Sequence, residues 1–202
     1  MAHYDDDLTL RDARRIYFDA NGFGADGGYH DAWVRFDLGP LPVAFPNTPS
    51  RVRAVRFHDL HHIATGYETT TVGEGEIAAW ELGGGCADHY AAWLLNVVAL
   101  PLPLLLAPGR LLRAFVRGRR GANLYRRTYD DALLGLTVRE LRRELGADVP
   151  PPPATPRDLV AFAAAFAAGA SLGVPVGLAM PVMGVALAAF ARLRPAAASA
   201  AS

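Results

Sequence analysis

The spacing of apolar positions predicts a chain built mainly from helices. Residues 8–20 read as a short amphipathic helix, stopped by Asn21 and Gly22. Two short apolar runs, 33–38 and 41–45, flank Gly39-Pro40 and predict a small β-hairpin or an extended arm. Pro49 and Ser50 open a second helix, and Gly66 is placed to end it. A third helix starts near Thr71 and runs through Trp80 to Leu82. Gly83, Gly84 and Gly85 then either break it or mark a close backbone approach. A further helix is expected over 138–145, with a capping signal at Thr137.

Two long uncharged runs change the picture. Residues 91–109 hold no charge and are interrupted by Pro101, Pro103 and Pro108, which argues against a regular spanning helix there. Seven arginines and no acid follow between Arg110 and Arg127. Apolar residues followed at once by arginines suit a segment lying at a membrane surface, with Arg110, Arg113, Arg117, Arg119 and Arg120 meeting lipid headgroups. A buried helix ending in a solvated basic turn is the plainer reading. The second run, 159–191, is Ala-rich and longer than the roughly 20 residues of one membrane span. It predicts one transmembrane helix kinked at Pro175, or a tight helical hairpin turning within 173–181.

The expected organisation follows: a mainly α helical-bundle body over 1–148, a proline-rich linker over 149–157, a C-terminal transmembrane or membrane-embedded segment over 158–194, and a disordered tail over 195–202. Within the body, 56–82 is the motif block and 91–127 the membrane-contact segment. The glycine-rich stretch 22–28 lacks the strand-before, helix-after context of a dinucleotide site and reads as a turn.

Composition narrows the classes. Formal charge balances to zero, so no global field argues for nucleic acid. Every basic side chain is Arg, which with the abundant Ala and Gly suggests a GC-rich bacterial coding sequence. The single cysteine, Cys86, excludes an intramolecular disulfide and a cysteine-rich zinc site. The first residues have neither a basic start nor an apolar run, so no signal peptide is expected.

The chemistry concentrates in one block. His58 and His62 are four residues apart, within about 40° of one another around a helix. Asp59 lies about 60° beyond His62 on the same wheel. Eleven residues separate His62 from Glu74. Together they offer nitrogen and oxygen ligands without sulfur, a set suited to zinc, iron or manganese. Each residue also has a plain alternative. Asp59 and His62 can form an ordinary i,i+3 pair. Glu74 can close a capping box begun by Thr71. Glu81, seven residues after Glu74, and His61 are candidate outer partners of the imidazoles. Cys86 and His89 make a weaker Cys-x-x-His pair.

The block His-Asp-x-x-His, eleven residues, Glu resembles the signature of the Coq-four family of coenzyme Q (ubiquinone) biosynthesis. The context Thr65-Gly66-Tyr67 through Gly73-Glu74 matches as well. A looser echo lies in 137–146, and the likeness spans roughly 50–150. It implies that His58, Asp59, His62 and Glu74 bind a divalent metal, zinc foremost. It further implies a membrane-associated protein that accommodates an isoprenoid lipid or quinone precursor, beside other quinone-biosynthesis proteins. The implied reaction is oxidative decarboxylation of a prenylated benzenoid ring. A non-catalytic isoprenoid-binding scaffold with a structural metal is the alternative, and a paralogue working on another membrane lipid is a third. With the arginines of 110–127 on the cytoplasmic side, as lipid charge favours, the expected location is the inner membrane with the body on its cytoplasmic face. The chain departs from the family at His61, where an aromatic residue is usual. His58-x-x-His61-His62 also resembles one box of the membrane desaturases, but those enzymes need several, and His3, His30 and His89 form no second box.

Overall fold

The computed structural model describes residues 4–38, 41–172 and 175. These residues form a mainly helical body with one two-stranded antiparallel hairpin near its N-terminus. Helix α1 is Leu10–Asn21, capped by the Thr9 side chain and ended by Gly22 at φ +69°. Strands β1 (Trp33–Leu38) and β2 (Leu41–Pro46) pair in the register Trp33 to Pro46 and Leu38 to Leu41. Asn47 fastens the hairpin's base, its side-chain amide donating to the carbonyls of Gly28 (3.0 Å) and Asp31 (2.9 Å). The expected turn residues Gly39 and Pro40 lie outside the described residues.

Helix α2, Pro49–Thr65, is the axis of the body. Thr48 caps its start, Pro49 sits in its first turn, and Gly66 at φ +74° closes it. Its C-terminal half is buried from Asp59 to Thr65, because α1, the 3-10 turn Leu124–Arg126 and the final helix of the body, Val138–Leu145, pack around it. Helix α3, Thr71–Gly84, is capped by Thr70, whose hydroxyl accepts from the Gly73 amide at 3.2 Å. The expected capping box at Thr71 is thus displaced by one residue, and Glu74 has no part in it. At Thr137 both halves of a capping box form, with Glu140.

The uncharged run divides where its prolines require. It gives α4 (Tyr90–Ala99), α5 (Pro101–Leu106) and α6 (Pro108–Arg120), the last two each with proline in the first turn. The α3–α6 pair is the most extensive helix contact in the body. Glycine permits it: a Cβ on Gly118 would lie 1.9 Å from the Trp80 carbonyl oxygen, and one on Gly83 would lie 2.3 Å from that of Phe115. The glycine run after Leu82 is therefore a helix crossing through Gly84 rather than a break.

Short helix α7, Asp131–Gly135, precedes α8, Val138–Leu145. After the proline segment, residues 156–172 are helical and lie on the body. Phe162 meets Phe115 with ring centroids 5.3 Å apart, and Gly169 sits against the Val97 carbonyl. Among the described residues, no helix is long and apolar enough to cross a membrane. The remainder of the expected C-terminal span, beyond 172 save residue 175, lies outside the described residues.

Candidate metal centre

Two helices build the site. Helix α2 supplies His58 and His62 one turn apart, and α3 brings Glu74 in from its first turn. His58 Nε2 lies 3.5 Å from Glu74 Oε2, and His62 Nε2 lies 3.5 Å from Glu74 Oε1. The two Nε2 atoms are 3.2 Å apart. One ligand atom from each of the three residues falls within 4.8 Å of the others.

The outer nitrogens fix the tautomers. His62 Nδ1 is 2.8 Å from the Tyr67 carbonyl oxygen, which can only accept, so Nδ1 carries the proton. His58 Nδ1 is 3.0 Å from Glu81 Oε1, and the carboxylate imposes the same tautomer. In their neutral form both rings therefore turn bare Nε2 lone pairs toward one point, beside a carboxylate. Two lone pairs at that separation repel unless a proton or a metal cation lies between them. The donor set fits a divalent metal for that reason.

Electrostatics carry the same asymmetry. Burial would push the His58 pKa down, but the Glu81 and Glu74 carboxylates outweigh it and hold it well above the ordinary value. Burial would raise Glu81, yet His58 and His61 hold it well below the carboxylate range. Glu74 is likewise held low against burial by hydrogen bonds with His58 and His62. Tyr17 stacks on the His62 ring at 5.5 Å and closes that side. The Glu74 side chain is 40% exposed and that of His58 21%, so the site opens along Glu74.

Asp59 stands apart from this group. It is buried, and its Oδ2 accepts the Tyr29 hydroxyl at 2.5 Å. Burial raises its pKa despite that bond. The structure thus brings together three of the four expected ligands, and it commits Asp59 to the loop that follows α1.

His61 points the other way from the metal group. Its Nδ1 donates to Glu81 Oε1 at 2.7 Å, and its Nε2 accepts the Leu124 amide at 2.9 Å. Both ring nitrogens are used, so it has none left for a metal. Glu81 is fully buried and touches both His58 and His61. Sequence reasoning passed over three partners: the Tyr67 carbonyl, Asn96 and Tyr125. Asn96 carried a signal, as the lone amide side chain in the uncharged run 91–109. Tyr67 lies inside the matched context, while Tyr125 carried none. His89 is buried beside Tyr125 and Phe57, burial pushes the Cys86 thiol up to about 12, and neither residue belongs to the His58, His62 and Glu74 group.

The arginines expected at lipid headgroups are largely engaged within the body. Arg110 forms a two-point ion pair with Glu76, at 2.9 and 2.5 Å. Arg117 donates to the carbonyls of Thr65 and Ala147 and lies over the Tyr67 ring. Arg119 and Arg120 hold Asp158 at 2.7 and 2.8 Å, docking the helical stretch 156–172. Arg113 lines a cleft of about 410 Å³ with Arg110, Tyr67 and Val149. What α4 and α5 expose is apolar instead: Tyr90, Trp93, Leu94, Leu95, Leu102, Leu105 and Leu106.

No protein-family model, curated protein or solved structure matches the chain. The likeness to the Coq-four family stands on the His58–Glu74 block alone.

Proposed function

We propose that this chain is a metal-dependent, membrane-surface protein acting on a prenylated benzenoid precursor of a quinone, by oxidative decarboxylation of its ring: the bond from the ring to its carboxyl group breaks and a ring C–OH bond forms, with dioxygen and a two-electron reductant as co-reactants and carbon dioxide and water as the other products. The observation that carries the metal is the convergence of the His58 and His62 Nε2 lone pairs, 3.2 Å apart, beside Glu74. Zinc is the first candidate for such a set, with iron or manganese as alternatives. Bound there, a divalent ion supplies Lewis-acid polarisation of a ring carboxylate or phenolate.

The chain's own residues do the rest. Glu74 and the two imidazoles hold the ion, and Tyr17 shields one face. The partial exposure of Glu74 and His58 leaves an open side, which favours a working site over a closed structural one and over the scaffold reading. The exposed apolar residues of α4 and α5 support contact of the body with the acyl boundary of a bilayer, where an isoprenoid substrate would reside. The location that goes with this proposal is the cytoplasmic face of the inner membrane, within reach of other quinone-biosynthesis proteins. A C-terminal anchor beyond residue 172 belongs to the same proposal.

Elemental analysis of the purified protein, beside a Glu74→Ala variant, tests the metal. Stoichiometric metal in the parent, lost in the variant, is the expected result. A folded parent without metal overturns it. Quinone production in cells carrying a His58→Ala, His62→Ala double variant tests the reaction, and undiminished production removes it.

A further inference from the structure

Glu81 lies behind His58, on the side away from Glu74, and its carboxylate is enclosed by donors. Oε1 accepts from the Nδ1–H groups of His58 (3.0 Å) and His61 (2.7 Å). Oε2 accepts from the Asn96 amide (2.5 Å) and the Tyr125 hydroxyl (2.7 Å). The side chain is 0% exposed. Its partners come from α2, α4 and the 3-10 turn, so one carboxylate ties together three elements around α3.

None of the four donors is an arginine. This buried carboxylate is therefore ringed by imidazole, amide and phenol groups and has no permanently charged guanidinium against it, and a buried charge without a cation nearby is costly. A cation held on the far side of His58, where Nε2 faces His62 and Glu74, lies across one imidazole ring from this carboxylate. With an ion on their Nε2 atoms, His58 and His62 are neutral, and Glu74 and Glu81 bring two negative charges. A dication at the Nε2 atoms brings that set to neutrality.

His61 is what holds Glu81 in register. Its Nε2 accepts the Leu124 amide at 2.9 Å, which fixes the ring, and the fixed ring directs Nδ1–H at Oε1. An aromatic hydrocarbon at this position would fill the space and lose both bonds.

We propose that Glu81, clamped by His61, Asn96 and Tyr125, is the positioning residue of the metal centre: it sets the His58 tautomer and supplies the second negative charge that matches a divalent ion. This rests on the metal reading above. Glu81 touches no ion itself and acts through His58.

The test is a competition titration of the metal-free full chain with Zn²⁺ and with Co²⁺ against a chelator, on the parent, Glu81→Gln, His61→Phe and Tyr125→Phe. The Co²⁺ absorption spectrum is recorded alongside. Gln keeps the shape of Glu81 and removes its charge. Its expected effect is a loss of about 10- to 100-fold in affinity, the usual scale for an outer carboxylate partner, with a shifted Co²⁺ spectrum. His61→Phe moves both readouts in the same direction by less. Equal affinity and an identical spectrum in a folded Glu81→Gln protein overturn the proposal while leaving the metal site intact. If the parent itself takes up neither ion, the metal reading fails, and this proposal with it. Should Glu81→Gln not fold, Tyr125→Phe decides. It removes one donor and keeps the ring, and it should weaken binding several-fold with the ligand set unchanged; no weakening overturns the proposal.

Discussion

His58 and His62 present the same nitrogen to each other: their Nε2 atoms face across 3.2 Å, while each Nδ1 proton is committed elsewhere, to Glu81 and to the Tyr67 carbonyl. A site so arranged holds a proton or a metal ion between its rings, and the two compete. That competition has a direction in pH.

In the metal-free protein His58 titrates above its ordinary value, so the stabilisation it provides is fully present below about 6.5 and is lost as pH rises through the raised pKa. Glu74 and Glu81 titrate low, so their contribution is present above about 4.3 and is lost as pH falls through the lowered values. Metal-free protein should therefore be most stable in mildly acidic solution. Metal affinity should instead rise with pH until His58 has lost its proton, because the ion takes that proton's place. Chelator competition at a series of pH values checks this. A flat profile from pH 6 upward would mean that no proton is displaced.

The α3–α6 crossing gives a prediction that is independent of any ligand. A methyl group on Gly118 would sit 1.9 Å from the Trp80 carbonyl oxygen, and both are backbone-bound on packed helices. Neither can yield without separating the pair. Gly118→Ala should destabilise the body by about 3 kcal/mol or more, the upper range for overpacking. Gly135, with open space around its α-carbon, should tolerate alanine within about 0.5 kcal/mol. Urea denaturation of the two variants makes the comparison.

Much of this was legible before any coordinates. The ends of α2 followed from Pro49-Ser50 and Gly66, because capping chemistry is local. His58 and His62 fell on one face because helical periodicity alone requires it. Glu74 was ambiguous between cap and ligand, and a one-residue shift of the cap to Thr70 decided it. That shift depends on the fit of Gly73 against the Glu68 carbonyl, which no local pattern encodes. The fate of Asp59 was hidden for a similar reason. Its partner Tyr29 lies thirty residues earlier, in a glycine-rich loop whose path is set by packing on α1 and α2. The internal partners of the arginines were hidden because charge in a sequence shows no partners. Asp158, which Arg119 and Arg120 hold, comes only after the proline segment.

That last contact can be broken by itself. Asp158 is buried and accepts from both arginines and from the Thr155 amide and hydroxyl. Asp158→Ala should free the helical stretch 156–172 from the body while leaving α1 to α8 folded. Hydrogen exchange would show faster exchange in 156–172 and at α4, where Gly169 lies against Val97. Unchanged protection would show that the Phe115–Phe162 contact and the glycine approach suffice.

The membrane reading turns on α4 and α5. Leu105 is 78% exposed and Leu106 60%, so neither contributes much to the core. A Leu105→Glu, Leu106→Glu double variant should therefore keep its melting temperature. If these side chains enter the acyl boundary, each loses about 1.5–3 kcal/mol of burial. Together with the carboxylate penalty, partitioning should fall by at least about 100-fold. Flotation with vesicles of mixed zwitterionic and anionic lipid measures it, and the anionic fraction separates the two forces. With Arg110, Arg119 and Arg120 paired internally, partitioning of the parent should depend only weakly on salt and on anionic lipid. Strong dependence on anionic lipid, with the double variant binding as well as the parent, would return the contact to the arginines. In that case the ion pairs with Glu76 and Asp158 must open at the bilayer.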